Sequence, residues 1–401
     1  MTGKPLGAQI LVFELLRWIL VPVMDRAFPV SQSCKGGVRF VSQRLTDRLT
    51  DARLLADLLE SLGLRGHVHR YGEDASAYAL GDGASHAWMA GHDTLGLKQT
   101  LALEFGEDAL SMRRQILVSM LGGPVAFDFP SFAELRAAVD IRERIVHDAL
   151  KTALAFKTAS AERPEECWVY DESTGFTLRP DHSLEVALRR ATQPDVSGRL
   201  YDFSCYRASE YVILLALAET LPLYNPALSM QLQEQWEHKA IMSGQFHDVF
   251  MREYGSQDAP LPPRYYVPGD RLWFRNPDEA SADATGYEGS WVFYLGDGLF
   301  SDFWRQGRTY TLESKCLEIY HWRHATYTDD AGELQINEVI VEAHIAQTMK
   351  DPAEVARIQS LMQRYREGRG IYTEAGGCID TTREYPRWVC PGTADLVLPP
   401  Y

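Results

Sequence analysis

Residues 201–218 constrain this chain more than any other stretch. Tyr201-Asp202-Phe203-Ser204-Cys205-Tyr206-Arg207-Ala208-Ser209-Glu210 runs into the apolar segment Tyr211-Val-Ile-Leu-Leu-Ala-Leu-Ala218. An apolar run of about two and a half helical turns reads as a buried helix. Asp202 and Ser204 stand just ahead of it, and both residue types cap helices, because their side-chain oxygens accept from the free N–H groups of the first turn. Whichever of the two caps, Cys205 falls in that first turn, where the partial positive charge of the helix end favours thiolate over thiol. That placement suits a cysteine nucleophile. It also suits a buried structural cysteine, since free cysteine is among the most buried residue types. Residue types alone leave both readings open.

The bulk properties exclude several classes. A length of 401 residues suits two or three domains, and 45% hydrophobic with 24% charged residues is the balance of an ordinary globular protein. A net charge of −15 argues against a nucleic-acid backbone as partner. The six cysteines are scattered, with no CxxC, which suits free thiols in a reducing compartment. Only Cys378 and Cys390 are near enough in sequence to suggest a bridge. His67/His69 and His321/His324 lack a third or fourth ligand nearby, so neither a metal site nor a cofactor is expected. Residues 10–24 are apolar but interrupted by Glu14 and Arg17, too short and too charged to span a bilayer and a poor signal peptide. An amphipathic helix docked on the domain is expected there, with no integral membrane segment, in an unexported, cytoplasmic protein.

In chain order, Leu45, Leu49, Ala52, Leu55, Leu58, Leu59 and Leu62 repeat with a helical period over residues 42–64, ending at Gly63 and Gly66. Residues 65–98 suggest a small α+β unit, and Gly122-Gly123-Pro124 marks a break. The spacing then predicts a helix from Pro130-Ser131 to about Phe156, two strands at 167–170 and 175–178, and a helix over 182–191. Further on, Leu272 and Phe274 alternate, residues 291–295 are nearly all apolar, and Gly296-Asp297-Gly298 is a tight hairpin turn. Two or three antiparallel strands of a small barrel follow, against which the Cys205 helix would pack. Residues 336–345 alternate like a strand, Asp351-Pro352-Ala-Glu354 opens a last helix, and residues 369–401 read as an extended tail over the surface. The expected layout is an N-terminal, mainly helical α+β extension over 1–126, a core domain over 127–350, and a C-terminal helix and tail over 351–401.

The order of these segments resembles the NlpC/P60 branch of papain-like folds, and more closely the small bacterial protein-glutamine gamma-glutamyltransferases of the spore-coat type. The segments are Phe127-Asp-Phe-Pro-Ser-Phe-Ala-Glu-Leu135, the Trp-containing strand at Cys167-Trp168, the helix over 180–188, Tyr201-Asp-Phe-Ser-Cys205 and Gly269-Asp-Arg-Leu-Trp-Phe-Arg-Asn-Pro277. They cover about residues 127–305. The resemblance implies an α+β, papain-like core with Cys205 as nucleophile. It also implies protein substrates: the thiolate attacks a glutamine side chain, ammonia leaves, and a lysine amine or water resolves the thioester. The supporting residues depart from the family pattern. The family's Glu on the strand before the turn falls on Ser290, with Glu288 two residues earlier. Its later histidine falls on Asp302 if one turn residue is inserted, and the Glu before its nucleophile is Ser204. Asp302 serves as a base only if the thiol pKa is already low or its own is raised by burial. Glu288 reads equally as a surface charge and Asp302 as a strand-end residue. Two other readings remain: an NlpC/P60-type cysteine amidase or peptidase, against which the missing histidine argues more strongly than against the transferase, and a degenerate papain-like scaffold that binds with a silent Cys205, which Ser290 in the histidine position supports.

Overall fold

The computed structural model describes residues 30–31, 36–42, 44–71, 76–156, 161–366 and 376–400. The helix expected over 10–24 lies outside them. Five short strands form the first sheet: β1 (Val30–Ser31), β2 (Gly37–Phe40), β3 (Val68–Tyr71), β4 (Ala77–Leu80) and β5 (Ala126–Phe129), in the order β1-β3-β4-β2-β5. Helices α1 (Leu45–Ser61) and α2 (Ser111–Leu121) bring Leu55, Leu59, Ile116 and Leu117 into the core beneath it. With two further helices at Asp82–Met89 and Leu97–Phe105, the described part of the extension is mainly helical around one small sheet. The expected boundary at 126/127 falls within this sheet, where β5 pairs with β2 from Gly37↔Ala126 to Phe40↔Phe129. Phe127, Phe129 and Leu135 share one core with Val38 and Phe40, and with Tyr254, Leu261 and Tyr265 far along the chain.

Helix α3 (Phe132–Lys151) starts where Ser131 accepts from the Glu134 N–H. After β6 (Ala155–Phe156) and the hairpin of β7 (Trp168–Asp171) and β8 (Gly175–Leu178) comes α4 (Leu184–Thr192), capped by Ser183. Strand β9 (Asp202–Phe203) pairs with β6 and leads directly into α5 (Cys205–Tyr224). Residues 208–217 of α5 are all buried. Ile141 and Ile145 of α3 and Leu184 and Leu188 of α4 pack around it, as do Phe293 and Leu295 from the sheet described next. A helix apolar on every side needs cover on every side, and these three elements supply it.

Past α6 (Ser243–Phe250), the second sheet takes β10 (Met251–Tyr254), β11 (Arg271–Arg275), β12 (Gly289–Gly296), β13 (Leu299–Ser301) and β14 (Thr309–Thr311). Helix α7 (Leu312–Trp322), the small hairpin β15 (Thr326–Thr328) and β16 (Leu334–Ile336), α8 (Glu338–Thr348), α9 (Pro352–Met362) and β17 (Arg383–Pro386) complete the chain. The strand order is β10-β17-β11-β12-β13-β14, an open antiparallel sheet whose edges β10 and β14 do not meet. The expected barrel is therefore not closed. The apolar run at 291–295 is explained instead by helices on both faces. Phe293 and Leu295 face α5, while Val292 and Tyr294 share a core with Leu317 of α7 and Ile358 of α9. The β12–β13 turn is as expected: Asp297 and Gly298 take positive φ (57° and 71°), the left-handed region a tight hairpin requires.

Three expectations are corrected. Of the tail expected over 369–401, the described residues 376–400 are not an extended surface segment, because β17 lies inside the sheet between β10 and β11. Its sequence hides this because its buried groups are charged. Arg383 gives Nη1 to the Asp380 and Thr382 carbonyls and lies 4.3 Å over the Tyr266 ring, and Glu384 pairs with Arg271. Residues 338–348 form helix α8, not a strand. Asn337 accepts from the Val339 and Ile340 N–H groups, and Val341, Ile345 and Thr348 meet the core at helical spacing while Val339 is 74% exposed. Cys378 and Cys390 are not bridged: both are free, and Cys378 lies with its sulfur 3.6 Å from that of Cys316.

A buried ion pair ties α3 to the second sheet. Arg142 Nη1 is 2.8 Å from Asp270 Oδ1, and Asp270 Oδ2 accepts from the Val267 N–H at 2.7 Å and from the Tyr254 hydroxyl. Removing one partner leaves the other charge buried and unmatched. Asp270→Ala is expected to destabilise the protein by roughly 3–5 kcal/mol in urea unfolding. Asp128→Ala, which breaks the exposed Arg39–Asp128 pair, is expected to cost about 1 kcal/mol or less. Equal losses from the two would contradict this reading of the core.

Candidate active site

The pairing of β9 with β6 fixes the approach to α5, and Ser204 rather than Asp202 is the cap, its Oγ accepting from the Arg207 N–H at 3.3 Å. Cys205 is the first residue of the helix. It lies where two cavities meet. The larger, about 380 Å³, is walled by Tyr206, Trp273, Trp291 and Glu288, and the smaller, about 190 Å³, by Trp304, Tyr310, Lys315, Glu318 and Glu338. Phe156, Gly286 and Gly289 border both. Gly289 is required by close approach: a Cβ there would stand 2.2 Å from Trp273 Nε1. Trp273 and Trp291 stack across β11 and β12 with ring centroids 6.3 Å apart, and Trp304 meets Phe156 edge-on at 4.8 Å. These three tryptophans line the cavities. Trp168 is core, donating to the Ala187 carbonyl.

The backbone around the sulfur follows from strand lengths. Strand β13 pairs with β12 only at Tyr294 and Gly296, and the Phe293 N–H is taken by Ser301 Oγ. Trp291, two residues earlier, has its N–H on that same edge, beyond the end of β13, close enough to the Cys205 sulfur to favour the thiolate. Burial pushes the Cys205 thiol above its ordinary range. The Trp291 N–H, the positive charge of Lys315 and the Tyr206 N–H pull it back, and the Glu288 carboxylate pushes it further up. The resting group is therefore a thiol flanked by one cation and one carboxylate.

Sequence reasoning missed Lys315. Its side chain is 2% exposed, with Nζ 2.9 Å from Glu318 Oε2 and 3.9 Å from the centre of the Tyr310 ring. The Tyr310 hydroxyl donates to the other Glu318 oxygen at 3.3 Å. A signal was available: Leu312, Cys316 and Ile319 are the buried face of α7, and Lys315 falls on that stripe with Glu318 three residues on.

The other expected residues separate. Glu288 precedes β12 and borders the larger cavity, while Ser290, opposite Phe274, borders the smaller one, so they do not share a face. Asp302 borders neither. It is buried, accepts from the Trp304 N–H at 2.9 Å, and has Arg308 Nε 3.8 Å from Oδ2. Burial raises its pKa. The unassigned histidines are engaged elsewhere. His247 pairs with Glu384 at 2.9 Å, His238 meets the Glu234 carbonyl, and His321 and His324 cluster with His344 between α7 and α8. None of these borders the cavities at Cys205.

Alkylation of Cys205 by iodoacetamide, followed by peptide mass spectrometry, is expected to be slow at neutral pH and to rise only above the ordinary thiol range. Lys315→Met removes the charge that favours thiolate, so the midpoint should move up. Glu288→Gln removes a like charge, so it should move down. A midpoint that neither change shifts would show that these groups do not act on the sulfur.

The comparisons bear on this geometry. The family model described as protein-glutamine gamma-glutamyltransferase matches residues 97–352, more than half of the chain. A protein-glutamine gamma-glutamyltransferase of Halalkalibacterium halodurans is 25% identical over 205 residues, 50% of this chain and 66% of that protein. One from Bacillus subtilis is 23% identical over 192 residues, 46% of this chain and 70% of that protein. The chain thus spans about two thirds of the length of these curated relatives. A solved structure, the transglutaminase from Geobacillus stearothermophilus without its C-terminal extension, aligns over 53% of this chain and 98% of its own at 22% identity, with a TM-score of 0.38. Cys205, its helix and both cavities lie inside the matched segment, and the chain belongs to the protein-glutamine gamma-glutamyltransferase family.

Proposed function

We propose that this chain transfers the acyl group of a protein glutamine to a lysine amine through a thioester on Cys205. The observation that carries the reading is the position of Cys205, first in a buried helix and open to two cavities, so that donor and acceptor need not share an entrance. We propose further that α5 packed on the second sheet is the papain-like, NlpC/P60-type core of the resemblance, with the sheet open rather than closed. The aromatic cavity on the Trp273–Trp291 side suits the acyl donor. The cavity holding Glu338 suits the amine, because Glu318 and Glu342 have Lys315 and Arg305 as partners whereas Glu338 accepts only from the Tyr287 hydroxyl, at 2.8 Å, among the described residues.

The proton steps need a base that is not an imidazole. Glu288 shares the larger cavity with Cys205 and is assigned as the base, while Lys315, in the smaller cavity, is the cation that favours the thiolate. In the proposed sequence Glu288 takes the thiol proton, and the thiolate attacks the glutamine carbonyl carbon. The Tyr206 and Trp291 N–H groups, freed of the thiolate, meet the oxyanion. Glu288 returns the proton to the departing nitrogen, ammonia leaves, and a thioester remains. A neutral amine then attacks, Glu288 takes its proton, and the thiolate is released. Water in place of the amine gives deamidation. Asp302 enters as the counter-charge beside Arg308, behind the wall that carries Lys315.

Incorporation of a fluorescent primary amine into a glutamine-rich acceptor protein tests this. Cys205→Ala should abolish uptake, and Glu288→Gln should lower kcat by about a hundredfold or more, the range of a positioned acid–base group. Asp302→Asn should cost much less than Glu288→Gln. The reverse ranking would make Asp302 the base. Wild-type protein that neither incorporates amine nor releases ammonia would sink the transfer reading in favour of a binding scaffold.

A further inference from the structure

A third cavity, about 250 Å³, lies on the far side of Ser204 from the cleft that holds Cys205, and Ser204 is a wall of both. Arg163 borders it. Its side chain is buried, at 5% exposure, and among the described residues no carboxylate stands within ion-pair distance of it. Three aromatic rings surround the guanidinium, with the carbon 3.5 Å from the centre of Phe203, 4.4 Å from Tyr211 and 4.9 Å from Phe176. Nη1 is used by the carbonyls of Glu162 and Asp202, and Nε has no acceptor.

A buried charge without a counter-charge is costly, and an unsatisfied buried donor calls for an explanation. The acids nearby supply a counter-charge only in part. Glu210 pairs through one oxygen with Arg207 at 2.8 Å and with Ser243 Oγ at 3.2 Å, and its single charge reaches Arg163 from beyond ion-pair distance while also serving Arg207 and Arg271; Asp202 has a partner of its own. The ring faces and the two carbonyls offset part of the cost, but none of them is an anion. Asp202 and Ser204 border the cavity at its α5 end, and most of the other wall is apolar and aromatic, with Tyr170, Phe176, Trp236, Ile241 and Met242. Arg207, on the first turn of α5, adds a second guanidinium at the border.

We propose that this cavity binds a carboxylate carried on an aromatic or aliphatic body, with Arg163 as its counter-charge, and that it is a specificity subsite for the reaction at Cys205. The proposal rests on the acyl-transfer reading only for the second clause. The carboxylate has two possible sources: the acyl-donor polypeptide, as an acidic side chain or chain terminus near the reactive glutamine, or a free small carboxylic acid.

Two arms separate them. In the first, 3-phenylpropionate and 3-phenylpropionamide are titrated calorimetrically into the Cys205→Ala protein, where no transfer occurs, so the result stands even if the acyl-transfer reading fails. The carboxylate is expected to bind about tenfold more tightly than the amide, the gain of a charge-assisted contact, and to lose that margin in Arg163→Gln. Arg163→Lys, which keeps the charge, should retain part of it, and it replaces the Gln variant if that fails to fold. In the second arm, benzyloxycarbonyl-Gln-Gly with a free C-terminal carboxylate is compared with its C-terminal amide as acyl donor. A KM about tenfold lower for the free acid, lost in Arg163→Gln with kcat unchanged, assigns the carboxylate to the donor. Preference in the titration without preference between donors assigns it to a free acid. Equal binding of acid and amide to the protein with Arg163 intact, together with equal KM values, overturns the proposal and leaves Arg163 a structural residue held by its three rings.

Discussion

The structure depends on the burial of helix α5 along most of its length. From Ala208 to Leu217 every residue is enclosed, by α3 and α4 on one side and by the inner face of β12 on the other. Full burial of one large aliphatic side chain contributes on the order of 1.5–3 kcal/mol, so a helix with several of them fixes the positions of whatever it packs against. Its C-terminal turn reaches the surface at Leu223, and its N-terminus opens on the two cavities. The cap at Ser204 and the ladder of β9 on β6 determine which residue stands there, and that residue is Cys205.

The surroundings of the sulfur follow from the same packing. Because β12 lies directly against α5, the end of β13 leaves the Trp291 N–H free at the height of the first helical turn. The other face of β12 carries α7, which brings Lys315 to the smaller cavity from behind the sheet. One strand thus supplies a backbone donor on one side of the nucleophile and, through the helix it supports, a cation on the other. In the proposed mechanism this arrangement takes the place of the imidazole that a cysteine enzyme ordinarily uses: burial keeps the group as a thiol, and fixed charges decide how readily it ionises.

Features that depend on local chemistry were legible in the sequence. The helix at 205, the caps at Ser131, Ser183 and Asp351, the hairpin at Gly296-Asp297-Gly298 and the nucleophile candidate are each written in a few adjacent residues. Features that depend on long-range pairing were not. Strand β17 reads as polar because Arg383 and Glu384 are neutralised by groups distant in the chain, and no periodicity marks such a strand. The apolar run at 291–295 suggested barrel closure, whereas two helices cover it. Alternation at 338–345 suggested a strand, and one Asn cap outweighed it. Lys315 and Arg163 were passed over for a shared reason. A charged residue on a buried stripe looks like noise until its cavity and its neighbours are known.

The central claim is a covalent acyl-enzyme on Cys205, and acid-quench mass spectrometry in the absence of amine tests it most directly. With a glutamine donor, the peptide containing Cys205 should gain the mass of the donor less ammonia, and the gain should disappear when an amine is added before the quench. Ammonia release without any adduct at Cys205, or an adduct on Cys167, Cys316, Cys378 or Cys390 instead, would contradict the account.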